Sequence, residues 1–467
     1  MNEKVAQALD HVAETYIVQA ARRRKHHYVR RALIAAVLAL AFLFHIPALP
    51  LAVSAKAVSL APESRKTDRP SHSSDRFDAW YDTHMLRLDT AEAAVPAVAA
   101  FAENCSTEVL AGVDTVNRLW SPINAYIALA VTAELAGENT QEEVLNALGK
   151  DSIETLRRDI SALWETIYSN NGREISVLAN SLWLDKDVSY VQQTMDDIAY
   201  HHYASIYQGD LGSNRTNRAM ANWLNNQTGG FLKDRTGTLS VDPESLLALV
   251  STVYFQAQWS DKFSSSDNTE GMFHTVGGDV PCTFMHRSAE DFKANYYWAE
   301  DFGAIQLFLK NNAMMWLILP DEDKTTDDVL RSGDYMNMIT RSEDFPAENR
   351  KYMMVNLSLP KFDVSASTDL KEPLRRAGLT DIFEPLGNDF SPSIISDVPV
   401  YLDSINQDTR VSIDEEGVTA ASYVLLQFGA GAAQPPDEII DFVLDRPFLF
   451  AITTNEIPLF VGTVNTP

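Results

Sequence analysis

Asp414-Glu415-Glu416-Gly417-Val418-Thr419-Ala420-Ala421-Ser422 is the stretch on which the reading of this chain turns. Three carboxylates lead into a run from Gly417 to Pro436 without one charged residue, in a 467-residue chain of formal net charge -26. The run is too short and too interrupted by Gly and Pro to span a membrane. Its end, Pro435-Pro436, cannot continue a strand ladder. What fits is a segment that is exposed in one state and a buried strand in another. Strand side chains alternate between faces, so one face would carry Val418, Ala420, Ser422 and Val424, all small or β-branched. The other would carry Thr419, Ala421, Tyr423 and Leu425. A strand entering an existing sheet meets a packed interior, where overpacking costs roughly 1–3 kcal/mol per site. The first face meets that demand.

Glu415-Glu416-Gly417, then β-branched residues, then Ala420-Ala421-Ser422 resembles the reactive-loop hinge of inhibitory serpins. Asp445-Arg446-Pro447-Phe448-Leu449-Phe450-Ala451-Ile452 and Pro458-Leu459-Phe460-Val461-Gly462-Thr463-Val464 resemble the C-terminal signature of that family. Upstream, Trp120-Ser121-Pro122-Ile123-Asn124 is similar to its Phe-Ser-Pro-x-Ser helix start. Asn180-Ser181-Leu182-Trp183-Leu184, Val253-Tyr254-Phe255-Gln256-Ala257-Gln258-Trp259 and Leu359-Pro360-Lys361-Phe362 match as well. The resemblance covers about residues 93–467 in family order, and extends to bacterial members that are secreted or membrane-anchored.

The resemblance implies a serpin fold, α+β, with three β-sheets, about nine helices and an exposed reactive-centre loop. It makes Glu415, Glu416, Gly417, Val418, Thr419, Ala420, Ala421 and Ser422 the hinge. Family spacing from Glu415 implies a reactive bond at Gly431-Ala432. Counting back from Ile440 shifts it toward Gln434, so Ala430, Ala433 and Gln434 complete the window. These small residues suit an elastase-like or subtilisin-like protease and not a trypsin-like one, whose primary pocket needs Arg or Lys. The partner implied is a serine protease trapped covalently. Trp259 matches the tryptophan where the loop begins to enter the main sheet. Family members also carry polar residues beneath the sheet that control its opening. Ser121 is retained here, while Asn124, Ser251 and Gln407 replace the usual serine, asparagine and histidine. Val418 stands where the family prefers Thr or Ser, and is isosteric with threonine. A serpin-fold binding module that does not inhibit is the alternative.

The residues themselves agree with a mixed fold. Val95–Leu110 and Ile123–Ala136 have helical apolar spacing, and Thr140-Gln141-Glu142-Glu143 reads as a capping box. Strands dominate later: Ile305–Lys310 and Ala313–Leu319 flank the turn Asn311-Asn312, and Val355–Leu359 alternates strictly. Helices followed by strands, without βαβ alternation, indicate α+β. No Gly-x-Ser-x-Gly elbow or His-Glu-x-x-His is present, so no enzyme activity is expected. His201-His202 would point apart on a helix and reads as a surface pair. Cys105 and Cys282 are the only cysteines, too few for a disulfide scaffold, and neither has metal-ligand spacing. The resemblance places them on different elements. No metal or cofactor is expected.

Charge is uneven along the chain. Residues 1–31 hold seven Lys/Arg and three Asp/Glu; the remainder holds 31 and 61. The acidic part argues against nucleic-acid binding. The basic segment 1–31 precedes an apolar stretch, 32–55, long enough to cross a ~30 Å bilayer core. The positive-inside rule puts 1–31 in the cytoplasm. A transmembrane signal anchor is expected, with a signal peptide cleaved after Ala52-Val53-Ser54-Ala55 as the alternative. Either exports the rest. Residues 56–92 read as a polar linker, and 93–467 as the folded domain, expected to be a monomer.

Overall fold

Polar caps and buried faces set the helices. In the computed structural model, residues 55–62, 70–71, 74–170, 175–230, 240–310, 312–402, 405–418 and 438–467 are described. Nine α-helices occur among them: α1 (Phe77–Leu110), α2 (Pro122–Leu135), α3 (Glu138–Ala147), α4 (Ile153–Ile167), α5 (Gln192–His202), α6 (Asn214–Gln227), α7 (Thr326–Ser332), α8 (Asp334–Thr340) and α9 (Lys371–Arg376). The start of α2 is fixed by Ser121, whose hydroxyl accepts from the Asn124 N–H, and by Pro122 in the first turn. Every residue of α2 is buried, so it runs through the core rather than over the surface.

The main sheet uses strands labelled here in chain order: β1 (Lys56–Ser59), β2 (Ile175–Asp185), β3 (Ala204–Gly209), β4 (Leu247–Gln258), β5 (Phe362–Asp369), β6 (Asn406–Ile413) and β7 (Gly417–Val418). Across the sheet they lie in the order β1-β3-β2-β4-β7-β6-β5. Only β2 and β3 are parallel; the other neighbours are antiparallel. The two-residue strand Ser169–Asn170 pairs with the start of β2.

A second, ten-stranded sheet contains the hairpin Phe448–Thr454 and Ile457–Val464, buried along its whole length. Phe302–Phe308 pairs antiparallel with Ala313–Pro320, as a turn between them requires; Asn311 lies outside the described residues. Asn312 takes the left-handed conformation such a turn needs, with φ 57°. Ile439–Val443 joins this sheet parallel to Arg350–Pro360. Ser189–Tyr190 and Ile394–Ile395 form a third, two-stranded sheet. The α+β class, three sheets and nine helices follow the implied fold.

Several expectations change. Residues 56–92, read as polar linker, hold β1 and the first turns of α1. The helix expected from Val95 begins at Phe77, and its first turns carry ring contacts: Phe77 lies tilted against Trp80, centroids 5.9 Å apart, and Trp80 stacks on His84 at 4.9 Å. Thr140 and Glu143 do not box a helix end. Thr140 Oγ1 accepts from the Asp389 N–H, and Glu143 accepts from the N–H groups of Thr380, Asp381 and Ile382. The expected surface pair is not one: His202 is fully buried, its Nε2 3.1 Å from Glu134. The Arg157 guanidinium and this imidazole outweigh burial and hold the Glu134 carboxyl at about 2. Cys105 and Cys282 are both free; burial pushes the Cys105 thiol up to about 12 and Cys282 up to about 11.

Among the described residues, no helix is long and apolar enough to cross a membrane. The expected cytoplasmic segment 1–31 and the apolar segment 32–54 lie outside the described residues.

Candidate functional site at the opening of the main sheet

The main sheet has a seam. β2 pairs with β4 from Ile175↔Gln256 to Leu184↔Leu247. On its other side, β4 has ladder partners only at its end, Ala257↔Val418 and Gln258↔Gly417. Val418 in turn faces Ile413 of β6. Among the described residues no ladder joins β4 directly to β6, so Gly417 and Val418 are the one strand link between the two halves of the sheet.

That link is held by a tight turn. Asp414 Oδ1 accepts from the N–H groups of Glu416 and Gly417, at 2.8 and 3.3 Å. The Asp414 N–H donates to the Gly417 carbonyl at 3.1 Å. Gly417 has φ 150°, and a Cβ there would lie 2.4 Å from the Ala257 carbonyl oxygen. Glycine is therefore required twice, by backbone conformation and by the close approach of β4. Val418 is 1% exposed and completes the packing.

Trp259 receives the hinge. Its N–H donates to the Glu416 carbonyl at 3.1 Å, and its indole Nε1–H donates to the Asp414 carbonyl at 2.7 Å. The ring is fully buried and meets Phe263 edge-on at 5.8 Å. The Phe263 N–H donates to the Glu415 carbonyl. The carboxylates are latched by side chains. Lys361 Nζ lies 2.7 Å from Glu415 Oε1, and Asn268 Nδ2 donates to the same oxygen at 2.6 Å. Lys361, with a smaller contribution from Asn268, keeps the Glu415 carboxyl below its ordinary value. Lys262 pairs with Glu416.

A second cluster lies beneath the seam, at the start of α2. Gln407 of β6 accepts from the Ser121 N–H at 2.7 Å and donates to the Ser121 carbonyl at 3.0 Å. Thr409 of β6 donates to the Leu119 carbonyl at 3.1 Å. On the other side, Ser251 of β4 bonds both Asn124 of α2 and Asn180 of β2. One hydroxyl carries one proton, so it donates to one amide and accepts from the other. Ser121, Asn124, Asn180 and Gln407 are all at least 97% buried. The start of α2 thus grips both halves of the sheet with neutral groups.

The expected residues Ser121, Asn124, Ser251, Trp259 and Gln407 come together around the seam, as do Glu415, Glu416, Gly417 and Val418. Thr419, Ala420, Ala421 and Ser422, and the window Ala430, Gly431, Ala432, Ala433 and Gln434, lie outside the described residues. Asn180 was missed as a member of this cluster; an amide in the middle of a strand that is buried at all but its two ends was its signal. The basic and amide partners Lys262, Asn268 and Lys361 carried no local signal. Among the described residues, no group of His, Cys, Asp and Glu could hold a metal ion.

The sequence model of the serpin family, serine protease inhibitors, matches residues 96–467. The chain belongs to the serpin family. Plasminogen activator inhibitor 1 of Bos taurus is 26% identical over 363 residues, 75% of this chain and 87% of that protein. Leukocyte elastase inhibitor of Sus scrofa is 25% identical over 354 residues, 74% of this chain and 92% of that one. The native state of Tengpin, a thermophilic serpin, superposes with TM-score 0.69 at 27% identity, covering 80% of this chain and 94% of that one. As a serpin with inhibitory relatives, the chain is at the coarse level a protease inhibitor, and the partner kind is a serine protease.

Proposed function

We propose that this serpin is an exported suicide inhibitor of serine proteases with shallow, apolar primary pockets, elastase-like or subtilisin-like. The observation that carries this reading is the hinge seated between β4 and β6, among the described residues through Gly417 and Val418 alone. The protease serine attacks the loop carbonyl, at Gly431-Ala432 or within Ala430–Gln434, and forms an acyl-enzyme while the amine of the new C-terminal fragment leaves. The freed hinge, Val418 through Ser422 first, enters the seam as a new strand. Small residues on the inward face admit it without overpacking. About a dozen new pairings at about 1 kcal/mol each rival a domain's whole ~5–15 kcal/mol stability. That is sufficient to drag the bound protease and distort it before the ester is hydrolysed. The chain acts without enzymatic turnover, metal or cofactor.

The apolar segment 32–55 supports export and a single-pass membrane anchor, with the serpin domain outside the cytoplasm and 1–31 inside. Cleavage after Ala55 would instead release a chain that starts at β1.

The test uses the whole chain in detergent, mixed with pancreatic elastase, subtilisin and trypsin. A band that survives denaturation at the summed mass with elastase or subtilisin, and not with trypsin, is expected. The N-terminus of the released peptide should fall within Ala430–Gln434. Clean cleavage with no complex would overturn inhibition in favour of a binding module.

A further inference from the structure

The two edges of the main sheet are built differently. One edge is β5, whose eight residues include the carboxylates Asp363 and Asp369; charge on an edge strand discourages pairing with another chain. At the other side, β3 reads Ala204-Ser205-Ile206-Tyr207-Gln208-Gly209, without a charge or a proline. Ala204 and Ile206 are fully buried and Tyr207 is 7% exposed. Such a strand, left as an edge, is a template for another strand.

It is not left as an edge. β1 pairs with it antiparallel, Lys56↔Gln208, Ala57↔Tyr207 and Ser59↔Ile206, and the register slips at Val58. β1 carries the protections that β3 lacks: it is four residues long, bulged, and has an exposed lysine. Its attachment is specific. Ser59 Oγ donates to Asp196 Oδ1 of α5 at 2.9 Å, and the Ala61 N–H donates to Ser205 Oγ at 3.2 Å. Val58 packs on the smaller apolar cluster, which includes Ile198 and Ile206. The covering segment itself lies upstream of residues 96–467, where the family match runs, while the edge it covers lies within them.

We propose that residues 55–62 are an intramolecular cover for the outer edge of β3, and that this edge, uncovered, pairs with a second copy of the chain. The segment between the apolar leader and the serpin domain is then a device that keeps the inhibitor monomeric, whether or not the leader is cleaved.

The experiment compares the full chain with the double variant Ala57→Pro, Val58→Asp, each expressed with two different affinity tags and mixed in the same detergent. Capture on one tag, read out on the other, measures self-association. The variant is expected to self-capture at least about fivefold more than the parent, the change that losing one net hydrogen bond of the cover gives. A synthetic peptide of residues 55–62 should reverse it. A variant that melts cooperatively and self-captures no more than the parent would overturn the proposal. If the variant does not fold, Ala57→Cys with Tyr207→Cys takes its place. Its oxidised form, with β1 locked on, should resist self-association on warming, and its reduced form should not. Equal behaviour of the two forms would equally overturn it. None of these outcomes depends on protease trapping.

Discussion

The top of the seam and its middle are held by opposite chemistry. At the top, Glu415 and Glu416 meet Lys361 and Lys262 at partly exposed positions. In the middle, buried Ser121, Asn124, Asn180 and Gln407, with half-buried Ser251, form a cluster without a single formal charge. Exposed ion pairs contribute little and yield to salt and acid. Buried neutral hydrogen bonds contribute modestly when made and cost much when half-broken. The difference separates two tasks. Under the proposed insertion, the ionic latch would position the hinge and the neutral cluster would set how reluctantly the sheet opens.

The largest effect is expected at the link itself. Val418→Arg would bury a guanidinium with no partner at a 1% exposed site, which costs several kcal/mol. It should convert the inhibitor to a substrate, seen as cleaved loop without a denaturation-resistant complex. Ala420→Pro should act alike by removing a ladder donor. Wild-type stoichiometry with either variant would break the insertion account. Gly417→Val should also unseat the hinge, because its Cβ would collide with the Ala257 carbonyl.

Next comes the gate. Gln407→Leu leaves the Ser121 N–H buried and unpaired, at about 1–3 kcal/mol, while the Ser121 carbonyl keeps the Ala125 N–H. Urea titration should show a lower midpoint, and trapping should lose out to substrate turnover. An unchanged midpoint would show that Gln407 does not bind the halves together. A smaller effect is expected across the hub. Asn124→Ala and Asn180→Ala both act through Ser251, so their costs should be non-additive by about 0.5–3 kcal/mol in a double-mutant cycle. Additive costs would mean the two amides act independently.

The smallest effect tests the latch. Glu415 has a depressed folded pKa, so its contribution is present above its ordinary value of 4.5 and is lost as pH falls through the folded value. Glu415→Gln should cost no more than ~1 kcal/mol at neutral pH, and should remove part of the salt and acid dependence of stability. The Gln407 variants should leave that dependence unchanged.

Much of this was legible in the sequence, and the reasons differ by residue. The hinge reads from composition, because a charge-free run in so acidic a chain needs two environments. Gly417 reads from the family pattern and is explained only by its approach to β4. The gate positions were legible through the resemblance alone, since nothing local marks Ser251 or Gln407 as facing α2. β1 was illegible: Lys56-Ala57-Val58-Ser59 has no pattern of its own and becomes a strand only because β3 offers an edge. The first turns of α1 did carry a signal, Phe77, Trp80 and His84 at helical spacing, masked by the polar residues among them.

The seam has a consequence for how the molecule moves and folds. One half of the sheet is made from residues 56–258 and the other from 362–418, so each half can complete its own ladders before the two meet. Contacts across the seam, Ala257 to Val418 and Ser121 to Gln407, close long loops and should form after the local ladders. They should also open first, as a boundary between two cooperative units visible in native-state hydrogen exchange. The line along which the proposed insertion would part the sheet is thus a line that only contacts distant in the chain hold closed.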